Sequence, residues 1–148
     1  MASGFFIDTN VLLYAKDPTV PAKRARAQKW LAALAGNDVA VISPQVVNEF
    51  AHNVIRKLPQ VSIAELKRDI ELMQAWCTAA LEPQITLQGL DVRRRFRLSF
   101  YDSLLIASAL ARGCEYFVSE DLTHNQRIFS MRIIDPFETD PESLLASH

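Results

Sequence analysis

The chain has 148 residues, 49% of them apolar, which is one domain's worth of sequence and enough to bury a core without disulfides or a structural metal. A formal net charge of −1 excludes overall charge as an attraction to nucleic acid, so any such contact must come from local basic clusters. No apolar run approaches the roughly 20 residues of a membrane span, and the apolar stretch that runs into Asp8 has no basic segment before it, so a signal peptide is not expected. A soluble, cytoplasmic protein with no membrane contact is expected. Cys77 and Cys114 match no metal-ligand spacing and read as reduced, partly buried thiols.

In chain order, Phe5, Phe6 and Ile7 form a short continuous apolar run, the pattern of a strand covered on both faces, and Asp8 ends it. Ala27, Trp30, Leu31 and Leu34 fall at helical spacing, with Gly36 as a stop. Val39 to Ile42 repeats the strand pattern, and Ser43 with Pro44 is an N-cap and first-turn pair that opens a helix toward Lys57. Ser62 and Glu65 fit a capping box, and Ile63, Leu66, Ile70, Met73 and Cys77 continue as one stripe of a long helix. Pro83 interrupts, Ile85 to Leu87 reads as a brief strand, and Asp91 to Arg97 as a short helix. Ser99 and Asp102 resemble a second capping pair, opening a helix from Leu104 to Ala111 that is apolar nearly all round and therefore buried, with Gly113 closing it. Tyr116 to Val118 and Arg132 to Ile134 read as further strands, and the acidic segment beyond Asp135 as a frayed tail.

Strands alternating with helices predict an α/β fold, a three-layer α/β/α sandwich around a mostly parallel central sheet, with one domain over residues 1–137 and an acidic tail over 138–148. Ligands of such sheets sit beyond the carboxyl ends of the strands. Asp8 follows the first strand, Glu120 and Asp121 follow the Tyr116–Val118 strand, and Asp102 opens the helix that returns to that strand, so acids from three segments are expected on one edge. Carboxylates gathered closely repel unless a cation or hydrogen bonds compensate. Oxygen ligands without Cys or His at ligand spacing favour a hard cation, Mg²⁺ or Mn²⁺, which activates water and stabilises the leaving oxygen of a phosphodiester.

Each acid also has an ordinary reading. Asp8 serves equally as the N-cap of a helix from Thr9 to Tyr14, Asp102 as a carboxylate favoured by a helix dipole, and Asp121 as a turn residue. Glu49 flanks the Val46, Phe50 and Val54 face and reads as a solvent-exposed glutamate. Two basic groups, Arg93, Arg94, Arg95 and Arg97, and Lys23, Arg24, Arg26 and Lys29, are each either a solvated helix face or a site for RNA phosphates.

Four segments carry a resemblance: FFIDTNVLLYA at residues 5–15, SPQVVNEF at 43–50, SFYDSLLIASAL at 99–110 and VSEDLTH at 118–124. In this order they resemble the PIN-domain family, and within it the VapC-like toxins of toxin-antitoxin pairs. The resemblance implies that Asp8, Glu49, Asp102 and Asp121 are the catalytic and metal-binding acids around Mg²⁺ or Mn²⁺. Asn10 and Ser119 match polar positions that hold those carboxylates. It further implies endonucleolytic hydrolysis of RNA by metal-activated water, a homodimer, and inhibition by a VapB-like antitoxin. Two positions depart from the family pattern. Asn125 stands where relatives often carry Gly, which its tolerance of left-handed backbone accommodates, and Asp135 stands where they carry Asn.

Two other readings compete. An Asp after strand one also begins the haloacid-dehalogenase phosphatases, whose acid-base Asp two residues later is here Asn10, which cannot transfer the proton. The other is a PIN-like module that binds RNA or protein with idle acids.

Overall fold

A computed structural model describes residues 4–146 of the chain. Phe5–Ile7 (β1) is buried throughout and lies between two parallel neighbours, with Phe5 opposite both Ala40 and Tyr116. Its neighbours are Ala40–Val41 (β2) and Tyr116–Val118 (β3). On the far side of β3, Met131–Ile134 (β5) is also parallel, and Arg127–Ile128 (β4) pairs antiparallel at the edge, for a sheet order of β2-β1-β3-β5-β4. The β-branched and aromatic content of the central strands suits a sheet covered on both faces. The register sets Ile7 opposite Val118 and Val118 opposite Ile134, so the next residues, Asp8, Ser119 and Asp135, share one edge.

Helices cover the sheet in two groups. Thr9–Tyr14 (α1) packs on Pro21–Gly36 (α2) and on Pro44–Lys57 (α3), and α3 packs on Ile63–Met73 (α4). Pro83–Phe96 (α5) packs on Phe100–Arg112 (α6), which is buried from Ser103 to Ala109. Their close approach depends on Gly89, where an added Cβ would come within 2.7 Å of the Leu104 side chain. Gly113, at φ +83°, ends α6 in the left-handed region that its lack of a Cβ allows. The expected α/β class with a mostly parallel sheet between helices is what the chain forms. Among the described residues no helix is long and apolar enough to cross a membrane.

Three expectations need correction, and one strand was not foreseen. Ile85 to Leu87 is not a strand but part of α5, because Pro83 sits at the start of the helix and opens it. Ile85, Gly89 and Val92 are buried at helical spacing while Leu87 faces solvent. The stripe toward Cys77 ends earlier, at Met73. A 3₁₀ turn over Gln74–Trp76 then carries Cys77 into a bridge with Ile42 beside β2. β4 escaped the sequence reading because its hairpin turns on Phe129 at φ 55° rather than on a glycine or asparagine.

The acidic tail does not fray over its described part. Pro141–Leu145 (α7) packs on α2, Leu144 is buried, and the Trp30 indole donates to the carbonyls of Pro136 (2.8 Å) and Thr139 (3.1 Å). Arg26 and Lys29 of α2 meet the tail's Asp140. The second basic group is thus taken up largely by the chain's own acids. Cys77 and Cys114 are free thiols, and burial pushes the Cys114 thiol up to about 12, where it stays protonated and inert.

Candidate active site

Parallel pairing sets the frame of the site. The Asp8 amide donates to Val118 O (3.0 Å) and the Ser119 amide to Ile134 O (2.9 Å), so the residues just past β1 and β3 are locked side by side. Asp8 has extended backbone and caps α1, its Oδ1 accepting from the Thr9 amide at 2.7 Å. Its Oδ2 accepts from the fully buried Ser119 hydroxyl at 2.8 Å and lies 3.2 Å from Asn10 Nδ2. Asp8 therefore caps α1 and, with its other oxygen, bonds to Ser119 and Asn10.

Asn10 ties the edge together. Its Nδ2 reaches Asp8 Oδ2, Ser119 Oγ (3.1 Å) and Asp121 Oδ2 (3.2 Å), while its Oδ1 accepts from the Glu120 amide (3.2 Å). That carbonyl contact fixes which way the amide points, with its N–H groups toward the acids. Ser119 Oγ also accepts from the Asp121 amide, shaping the turn that presents Asp121. With an amide rather than an acid two residues after Asp8, the phosphatase reading has no proton donor at that position.

Burial is the main influence on Asp8, raising its pKa from the ordinary 3.8 to about 7. The bonds from Ser119 and Thr9 pull it back, and the charges of Asp102 and Asp121 push it further up. Asp102, half-buried in the first turn of α6, is also raised, chiefly by burial and in part by Asp121, against the pull of Ser99. These mutual influences place Asp8, Asp102 and Asp121 within electrostatic reach of one another.

Glu49 joins them from α3. Its Oε1 accepts from the Thr9 hydroxyl at 2.9 Å and its Oε2 from Gln45 Nε2 at 3.2 Å. It is half-buried, contrary to the exposed reading from its helical wheel, because α1 packs across α3 and brings Thr9 to it.

Among the described residues no three acidic, histidine or cysteine side chains are already close enough to enclose a metal ion. The donor chemistry nonetheless fits a hard cation. All four acids offer carboxylate oxygen, and the buried Asp8 carries a charge that its surroundings disfavour. Asp121 is exposed and Asp102 half-buried, so both have room to turn toward Asp8.

The basic groups stand apart from this cluster. Arg93, Arg94, Arg95 and Arg97 are exposed at the end of α5 and just beyond it. Arg93 donates to Leu98 O and the Arg95 guanidinium lies over the Phe129 ring at 4.9 Å. Lys23 is paired with Glu120, which also accepts from the Tyr14 hydroxyl at 2.8 Å, so Glu120 braces α1 and α2. His124 is likewise structural, its Nδ1 accepting from the Asp135 amide.

The two departures keep their local geometry. Asn125 takes the left-handed conformation at φ 67°, and Asp135 accepts from the Phe137 amide (2.9 Å) as an asparagine would. Two site residues went unremarked in the sequence, Thr9 and Gln45. Gln45 had a signal, since it lies four residues before Glu49 on one helical face. Thr9 had none.

Against known proteins, the PIN domain family matches residues 5–127. A chain in a solved toxin-antitoxin complex from Klebsiella pneumoniae is similar in structure with a TM-score of 0.65. The match covers 90% of this chain and 98% of that one at 15% identity, a likeness of fold. No curated protein matches the chain.

Proposed function

Because the chain belongs to the PIN-domain family, whose members are generally nucleases, we propose that it is an endoribonuclease dependent on Mg²⁺ or Mn²⁺ and the toxin of a VapBC-type toxin-antitoxin pair. The observation that carries the catalytic part is the buried Asp8, raised to about 7 and flanked by Asp102 and Asp121 at the carboxyl edge of a parallel sheet. A carboxylate in that position is costly unless a cation meets it.

Asp8, Glu49, Asp102 and Asp121 hold the cation in this reading. Such an ion, when bound, makes water a nucleophile at neutral pH and stabilises the leaving oxygen of an in-line displacement. Asn10 and Ser119 orient Asp8 and Asp121 through the bonds described above, and Thr9 and Gln45 do the same for Glu49. Arg93, Arg94, Arg95 and Arg97 supply positive charge near the start of α6 for RNA phosphates. Residues 1–137 act as the nuclease domain, with the acidic tail over 138–148.

The toxin assignment draws on the four family segments and on the structural likeness to a chain of a toxin-antitoxin complex. It implies a VapB-like antitoxin as partner and a homodimer. One observation favours an idle, RNA- or protein-binding module instead: the acids among the described residues do not yet form a closed set of ligands.

The assay that separates these readings is incubation of the purified chain with single-stranded RNA. The nuclease reading expects cleavage with Mg²⁺ or Mn²⁺, none with chelator, and 5′-phosphate and 3′-hydroxyl ends, as attack by water with departure of the 3′ oxygen leaves them. Cleavage that survives chelation, or 2′,3′-cyclic phosphate ends, would contradict it.

A further inference from the structure

A cavity of about 400 Å³ opens between α3 and the start of α6, and Glu49 is one of its walls. Whatever fills it therefore sits directly beside the acidic cluster. Its other walls combine Tyr101, Leu81 and Leu104 with Asn48, His52 and Gln45. Its size falls within the roughly 300–1,000 Å³ of small-molecule sites.

Two features say what chemistry fits. Tyr101 is 62% exposed although it directly precedes Asp102 in the chain, an unusual placement for a large ring. Gln45 is only 7% exposed, and its Nε2 donates to Glu49 Oε2 (3.2 Å) and to Tyr101 O (3.1 Å). Turning the amide over would set its oxygen against those two acceptors, so the orientation is fixed. Its Oε1 is then left buried with no hydrogen-bond partner. A buried carbonyl in that state awaits a donor.

We infer that this cavity is a nucleobase subsite, in which an unpaired base of the RNA strand stacks on Tyr101 and offers an N–H to Gln45. An aromatic face with a few amide and imidazole groups is the usual means of holding a splayed-out base. Every RNA base carries an amino or imino N–H of the kind that Gln45 Oε1 lacks, whereas an apolar side chain does not. The inference rests on the ribonuclease reading and assigns to α3 and α6 a share in selecting where the strand is cut. Gln45 links the two functions, since it orients Glu49 and lines the cavity.

The test uses the full chain and a pool of random-sequence single-stranded RNA. Cut ends are sequenced and KM and kcat measured for wild type, Tyr101→Ala and Tyr101→Phe. Binding of the same RNA is followed in chelator by fluorescence anisotropy. Tyr101→Ala is expected to weaken binding and raise KM by roughly ten-fold, to leave kcat nearly unchanged, and to flatten the base preference beside the cut. Tyr101→Phe keeps the ring and restores both.

The exposed ring makes either variant safe for the fold, and the backbone carbonyl that Gln45 uses is retained. Wild type that cleaves RNA with a base preference untouched by Tyr101→Ala would overturn the subsite and leave the nuclease standing. The same unchanged preference with a loss of dimer in light scattering would give the face to a second copy. Wild type that neither binds nor cleaves RNA would overturn both.

Discussion

Along α2 and the C-terminal segment, charges are matched: Arg26 reaches Asp140 at 2.6 Å, and Lys29 lies 3.5 Å from Asp140 and 3.4 Å from Glu142. At the carboxyl edge of the sheet the opposite holds. Asp8, Asp102 and Asp121 act on one another as like charges, with hydroxyl and amide groups as their only direct partners in the hydrogen-bond network described. Both regions are rich in acids, yet one holds the fold together and the other works against it. An acid cluster therefore points to function when its compensation is missing, and to architecture when cations of the chain itself supply it.

Activity offers the largest contrast. Asn10→Ala removes the amide that bridges Asp8, Ser119 and Asp121, and should lower RNA cleavage about 10–100-fold with the fold intact by circular dichroism. Asp140→Asn, in the matched region, should leave cleavage unchanged. Equal losses in both variants would erase the distinction.

Stability comes next. The folded-state pKa of Asp8, about 7, lies above the ordinary 3.8, so between those values the native chain holds a proton that the unfolded chain has released. The Asp8 contribution therefore falls as pH rises through that window, by about 4 kcal/mol in all. Denaturant unfolding of wild type and Asp8→Asn without divalent cation should give similar stabilities near pH 4. By pH 8 the variant should be the more stable by a few kcal/mol. Mn²⁺ at pH 8 should raise the wild-type melting temperature and leave the variant's unmoved. A flat difference between the two across pH would remove the strain from the account.

Smaller effects belong to the matched region. Trp30→Phe strips the donor from the Pro136 and Thr139 carbonyls and should cost about 1–2 kcal/mol, with faster hydrogen exchange in α7. Lys29→Ala removes half-exposed pairs and should change stability by less than about 0.5 kcal/mol. A larger loss there would mean that the tail depends on charge more than on the indole.

Much of this arrangement is legible in the residues, for reasons that differ by element. β1 and β3 are unbroken apolar runs and β5 is interrupted only by Arg132, and Ser62 and Ser99 do cap α4 and α6 by accepting from the Glu65 and Asp102 amides. Ser43 precedes α3 as expected, but its hydroxyl makes no cap bond. Ile85 to Leu87 misled because three apolar-leaning residues fit either period, and only the burial of Gly89 and Val92 decides for a helix. The docked tail depends on Trp30, more than a hundred residues earlier in the chain, and local pattern carries no trace of such a contact.

In the site, chain topology alone led to Asp8, Asp102 and Asp121, since parallel strands send their ends to one edge. Glu49 was legible only through family resemblance. A helical wheel reports an angle about the axis, not that α1 crosses α3 and sets Thr9 against that glutamate.

The central claim is that the uncompensated edge around Asp8 is a cation-dependent centre for cutting RNA. Its most direct test is cleavage of single-stranded RNA by wild type and Asp8→Asn side by side in Mn²⁺, with both proteins shown to be folded. The account predicts fragments from wild type and none above background from the variant. Undiminished cleavage by Asp8→Asn would contradict it.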